Sequence, residues 1–154
     1  QERRNLKRWH GERINIDAEF DGTKGFLSPY LGESAQVKVC PLIGEVITGS
    51  ESWEWSTGGY GYNAAYIGGT PSKGGFEQPE RPSNIPVPSQ TVMFTTTAIP
   101  IGDEIQEYAY AEPYRHPGKK GPGDPAEATV HFRANGRALV AWCDGHVTAE
   151  EPAK

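Results

Sequence analysis

Methionine occurs once in this chain of 154 residues, cysteine twice and histidine four times, and apolar residues of all kinds reach only 36%. Each shortage excludes something. No stretch approaches the roughly 18 consecutive apolar residues of a membrane-spanning helix, so no segment of the sequence reads as one. No Cys-x-x-Cys pair and no spaced Cys/His set is present, which removes a structural zinc site. There is no Gly-x-Ser-x-Gly elbow and no phosphate-binding loop, and the Gly pairs do not match a dinucleotide fingerprint. Basic residues are outnumbered, 15 against 20 acidic, for a net charge of -5, which argues against nucleic acid as the main partner. No long window is clear of Gly and Pro, so a helical bundle is excluded.

Gly (19) and Pro (13) supply about a fifth of the chain, against roughly 12% in an average protein. With a mean hydropathy of -0.63, that composition alone points toward disorder. The 4 Trp, 7 Tyr and 5 Phe point the other way, because disordered chains are poor in aromatics. The sequence therefore reads as a folded, loop-rich domain whose core leans on large rings.

Residues 2–10 fit a short helix with Leu6 and Trp9 on one side, stopped by Gly11. Arg3, Arg4, Lys7 and Arg8 then form its solvated face. From Arg13 to Phe20 the pattern alternates, with Ile14, Ile16, Ala18 and Phe20 on one side, which predicts a half-buried strand. Phe26 to Leu31 reads as one helical turn or a hydrophobic anchor, and Val37 to Cys40 as a short strand ended by Pro41. Residues 43–88 are mostly loop, pinned by Trp53, Trp55, Tyr60, Tyr62 and Tyr66. Thr91 to Thr97 is the best central strand, and Ile105 to Ala111 a second. Residues 112–126 form an exposed loop. Ala128 to Arg133 and Ala138 to Cys143 flank Asn135-Gly136, the strongest short-range hairpin signal, since both central residues of a type I′ turn need positive φ.

Chemistry is sparse. His131, Asp144 and His146 are the one set that could hold a metal; the competing reading is a turn aspartate beside surface histidines. Asp103 and Glu104 read as solvated turn acids rather than a catalytic pair. Calcium needs several oxygen ligands in one loop, and Asp17, Asp21, Asp124 and Asp144 are scattered, so no cofactor is expected and calcium stays an open but unsupported alternative. Trp53, Trp55, Tyr60 and Tyr62 invite a carbohydrate-binding reading by ring stacking; the alternative is that they supply core to an apolar-poor chain. Two cysteines suggest one disulfide, Cys40–Cys143, closing a loop of about 100 residues worth up to about 4.7 kcal/mol. Two buried thiols remain the other reading.

Several segments, in order, resemble the globular domains of prepilin-type proteins, the type IV pilin and type II secretion pseudopilin superfamily. They are Leu27-Ser28-Pro29-Tyr30-Leu31, Val39-Cys40-Pro41, Tyr60-Gly61-Tyr62-Asn63, and Val87-Pro88-Ser89-Gln90-Thr91-Val92-Met93-Phe94. The last is His131-Phe132-Arg133 through Trp142-Cys143-Asp144-Gly145-His146-Val147. The subgroup in question carries a histidine a fixed distance before a closing Asp-Gly. This chain departs from it with Ala134 at the histidine position, Leu139 where asparagine is usual, and Thr95-Thr96-Thr97 where an aspartate often follows.

The resemblance implies an α+β fold, with a short helix remnant at residues 1–12 packed on an antiparallel sheet, a single globular domain over 13–148, and a polar tail over 149–154. It implies that a hydrophobic stalk helix precedes Gln1 and has been removed or trimmed. It also implies a non-catalytic structural subunit of a pilus-like filament or secretion pseudopilus. The partners would be other subunits and exported proteins, in the periplasm or at the cell surface, with the membrane reached only through the stalk helix.

Overall fold

The computed structural model describes residues 6–32, 35–48, 54, 56–68, 79–113 and 128–153. Expectations for Arg3, Arg4, Trp53, Trp55 and Asp124 fall outside them. Among the described residues the fold is small and mostly sheet, with antiparallel strands and no long helix. The helical segments among those residues are short 3₁₀ turns: Ser28–Tyr30, Ala35–Lys38, Ile43–Glu45, Pro82–Asn84 and Pro88–Gln90. Among the described residues no helix is long and apolar enough to cross a membrane. The chain divides into two compact units, Gln1–Tyr60 with Ala98–Ala109, and Gly61–Thr97 with Tyr110–Lys154.

The first unit holds a two-stranded sheet, β3 (Ile99–Ile101) and β4 (Glu104–Gln106), joined through Gly102-Asp103 with Gly102 at φ 62. Asp103 and Glu104 are both exposed at that turn. The rest of its described residues are 3₁₀ turns and irregular backbone tied by local bonds, and here sequence expectations fail: of the strand expected over Ile105 to Ala111 only Ile105 and Gln106 lie in one, at the end of β4, and three further segments differ. Residues 6–12 are not a helix: Lys7 bridges Glu12, and Arg8 N donates to the Gly11 carbonyl at 2.8 Å. The stretch 13–20 is not a strand. A Glu12–Asp21 bridge closes it into a loop, and the Asn15 side chain accepts from Asp17 N at 3.0 Å, so local turn chemistry wins over alternation. Only Phe20 of the alternating set is buried, while Ile14 is 86% exposed. Val37 to Cys40 is not a strand either. The Ala35–Lys38 turn draws the Lys38 ammonium inward to the Gly22 carbonyl and Ser28 hydroxyl, and Val37 and Val39 are left exposed. The turn expected within Phe26 to Leu31 is present as Ser28–Tyr30, but Phe26 and Tyr30 are exposed and do not anchor it.

The second unit contains a four-stranded sheet in the order β1 (Tyr60–Tyr62), β2 (Val92–Thr96), β5 (Ala138–Trp142), β6 (Val147–Glu150). β2 is the strand expected from Thr91 to Thr97. It pairs antiparallel with β5, Phe94 opposite Ala141 and Thr95 opposite Val140, with a register shift between Val92 and Phe94. β5 and β6 form a tight hairpin over Asp144-Gly145. Gly145 N donates to the Trp142 carbonyl and Trp142 N to the His146 carbonyl, both at 3.0 Å, with Gly145 at φ 93. That is the three-residue loop with a bulge for which Gly is suited. β6 runs on to Glu150, into the stretch expected to be polar tail.

The Asn135-Gly136 turn is present, with φ 54 and 75 and a bridge from Ala134 to Arg137. The arm before it behaves differently from expectation. Residues 128–133 do not pair with β5; Val130 bridges Thr97, and His131 N donates to the Thr96 carbonyl at 2.9 Å. The reason is occupancy, since β5 already has β2 on one edge and β6 on the other. The buried core of this unit is thin in apolar mass: Ala65, Ile67, Ala111, Ala138 and Val140 lie among Thr95, Thr96, Thr97, Thr129 and Asn63. Gly61 lets two backbones meet, because a Cβ there would lie 2.6 Å from the Tyr110 carbonyl carbon.

At Gly136 a Cβ would meet nothing within 4 Å. Gly136→Val therefore tests backbone conformation alone, and we expect it to cost about 1–2 kcal/mol in thermal or denaturant unfolding. An unchanged midpoint would contradict the type I′ assignment.

Candidate functional site

Among the described residues of the second unit, the β5–β6 turn gathers a cluster of chemistry-bearing side chains. The Asp144 carboxylate accepts from His146 N at 3.2 Å and contacts His146 Nδ1 at 2.6 Å. The imidazole lies parallel to the Trp142 indole, centroids 5.6 Å apart and planes 13° off. Trp142 Nε1 donates to Thr148 Oγ1 at 2.7 Å. The hairpin register creates this cluster, since Trp142, His146 and Thr148 project from one face of adjacent strands. The hydrogen bonds from His146 hold the Asp144 carboxyl below its usual range. Asp144 and His146 are thus a formed pair on an aromatic platform, with Nδ1 committed and Nε2 facing away from Asp144.

His131 does not join them. Among the described residues no group of three or more His, Cys, Asp or Glu is positioned to hold a metal ion. His131 is half-buried against the β2 end, where Thr96 Oγ1 donates to its carbonyl at 2.9 Å. Burial, helped by Arg133, lowers its pKa.

Cys40 and Cys143 are not bridged; both are thiols. Each is fixed by its own surroundings. Cys40 is 1% exposed with its N–H on the Gly58 carbonyl, and Cys143 sits in the β5–β6 turn with its N–H on the Thr91 carbonyl. Both act as small packing residues. Tyr60 and Tyr62 are half-buried in β1, and the Tyr62 ring rests on Phe94 at 5.2 Å. Trp53 and Trp55 lie outside the described residues.

Sequence reading misses the cluster buried in the first unit. The pattern places Arg8 on a solvated face, yet it is 6% exposed and its guanidinium meets the Glu54 carboxylate at 2.6 Å. Arg13 lies over the Phe20 ring at 4.5 Å. The His10 ring stands edge-on to both Trp9 (5.2 Å) and Phe20 (4.8 Å). It is 1% exposed, and neither ring nitrogen has a hydrogen-bond partner among the described residues. Burial first, then Arg8, Lys38 and Arg13, push the His10 pKa from 6.5 down to about 3. Burial pushes the Glu54 carboxyl up in spite of Arg8. Nearby, Glu107 accepts from the backbone N–H of Thr57 at 3.0 Å. No sequence signal links Arg8 to Glu54 across 46 residues.

In this arrangement a neutral imidazole and a buried ion pair pack around Phe20. No family model matches the chain, and no curated protein or solved structure matches it either.

His10 gives a signed pH dependence. Below pH 6.5 the unfolded chain takes up a proton that the folded chain refuses until about pH 3. The His10 contribution is therefore full above 6.5 and falls with pH through that window, by up to about 1.4 kcal/mol per pH unit. The raised carboxyl of Glu54 works in the opposite sense, so the test is a comparison. The stability difference between the parent and His10→Phe should change steadily from pH 6.5 toward 3 in chemical denaturation. Parallel curves would contradict it.

Proposed function

We propose that the chain is the globular part of a pilin-like subunit, a structural and non-catalytic domain of a type IV pilus-like filament or type II secretion pseudopilus. The observation that carries this reading is the ordered set of resembling segments between residues 26 and 148. Apart from Val39-Cys40-Pro41, each includes a structural element rather than arbitrary loop. Leu27 to Leu31 contains the Ser28–Tyr30 turn, Tyr60 to Asn63 contains β1, Val87 to Phe94 runs from a 3₁₀ turn into β2, and Trp142 to Val147 is the β5–β6 turn. An antiparallel sheet that finishes in a C-terminal hairpin suits such a head domain.

On this reading the stalk helix lies upstream of residue 6, since residues 6–12 do not carry it. Other subunits and exported proteins are then the partners, and the site of action is the periplasm or cell surface. The pilin-like α+β architecture belongs to this proposal.

Sequencing the encoding gene upstream of Gln1 tests it. The expected result is a short basic leader followed by an apolar helix of about 20 residues. A reading frame without that helix would contradict the proposal.

A further inference from the structure

β6 is the outermost strand of its sheet, and among the described residues no strand lies beyond it. Its register with β5 decides which of its backbone groups are used. Trp142 N donates to the His146 carbonyl, Val140 lies opposite Thr148, and Ala138 opposite Glu150. Bonded and non-bonded pairs alternate along an antiparallel ladder. His146, Thr148 and Glu150 therefore turn their N–H and C=O groups toward β5, while Val147, Ala149 and Glu151 turn theirs outward. Those three residues are exposed, Val147 by 67%. Such a row of outward backbone groups is a template for another strand.

We propose that β6 pairs antiparallel with β6 of a second copy of this chain, with Val147 of each copy opposite Ala149 of the other. Side-chain charge selects both the occupant and the register. On the face that carries Trp142, β6 presents His146, Thr148 and Glu150 in a row, and this row is self-complementary when reversed. His146, as the imidazolium, falls opposite Glu150 and Thr148 falls opposite Thr148, and such opposite-charge and Thr–Thr pairs stabilise a sheet. Asp144 already holds Nδ1 of His146, so the contact from Nε2 to Glu150 across the interface is one that the imidazolium makes, with both ring nitrogens donating. Sliding the strands one way sets Glu150 opposite Asp144. Sliding them the other way first removes the charge pair and then sets Glu150 opposite Glu150, a like-charge arrangement that destabilises. The paired edges would join two four-stranded sheets into one. This pairing does not depend on a stalk helix or on the pilin-like reading.

The test is self-association of the chain by sedimentation equilibrium, compared with two variants. Ala149→Pro removes an outward N–H and no bond to β5, so the sheet keeps its ladder. Glu150→Lys sets a cation opposite His146 and touches no backbone group. The parent should dimerise with rising concentration, and each variant should raise the dissociation constant by about tenfold or more. If Ala149→Pro lowers the monomer's own melting temperature, Glu150→Lys decides. A parent that stays monomeric at about 1 mM would overturn the proposal, with Glu150-Glu151-Pro152 then acting as a guard on the edge. So would a dimer whose affinity neither variant changes.

Discussion

The hydroxyl of Thr96 is the point on which the four-stranded sheet depends. It is fully buried, donates to the His131 carbonyl at 2.9 Å and accepts from Leu139 N at 3.2 Å. In the same place His131 N donates to the Thr96 carbonyl. One side chain therefore ties β2 to β5, where Leu139 lies, and ties the 128–133 segment to β2. Thr129 repeats the device, accepting from Glu112 N at 2.8 Å and donating to the Tyr110 carbonyl at 3.1 Å. A chain with 36% apolar residues cannot close its interior with aliphatic mass alone. It fills part of the core with β-branched side chains that also saturate backbone groups.

The other unit meets the same shortage with charge. Arg8, Arg13, Lys38 and Glu54 are buried around Phe20 and His10. Ion pairs taken out of water gain little over apolar packing, yet removing one partner is expensive. Such a core adds little net stability from its ion pair, and it leaves His10 as a base that resists protonation in place. The two units thus use different polar chemistries, hydroxyls in one and salt links in the other, for the same purpose.

What can be read in the sequence is local. Thr91 to Thr97 announces β2 through its β-branched run, and Asn135-Gly136 announces its turn because positive φ at two consecutive positions restricts the choice of residue. The Asp144-Gly145 turn is visible through its glycine, which takes the one positive φ that the turn needs. What cannot be read depends on distant partners. The alternation from Arg13 to Phe20 is sound as a pattern, but the Glu12–Asp21 bridge and the Asn15 turn override it. The arm at 128–133 resembles a hairpin partner only while the residues of β6 read as the approach to a polar tail. Once β6 occupies that edge, the arm must turn to Thr96 and Thr97. At the candidate site, Asp144 and His146 are identifiable from their turn. The stacking on Trp142 follows from a register that only the hairpin reveals.

Adjacent threonines in β2 offer a direct test of whether hydroxyl bonding or apolar volume closes this sheet. Thr95 is 2% exposed and its hydroxyl has no hydrogen-bond partner among the described residues, whereas the Thr96 hydroxyl has two. Equilibrium denaturation of Thr96→Val and Thr95→Val compares nearly equal volumes with and without a network to lose. The account predicts that Thr96→Val loses about 1–3 kcal/mol, while Thr95→Val stays within about 0.5 kcal/mol of the parent or gains. Equal effects at the two positions, or a Thr96→Val as stable as the parent, would contradict it.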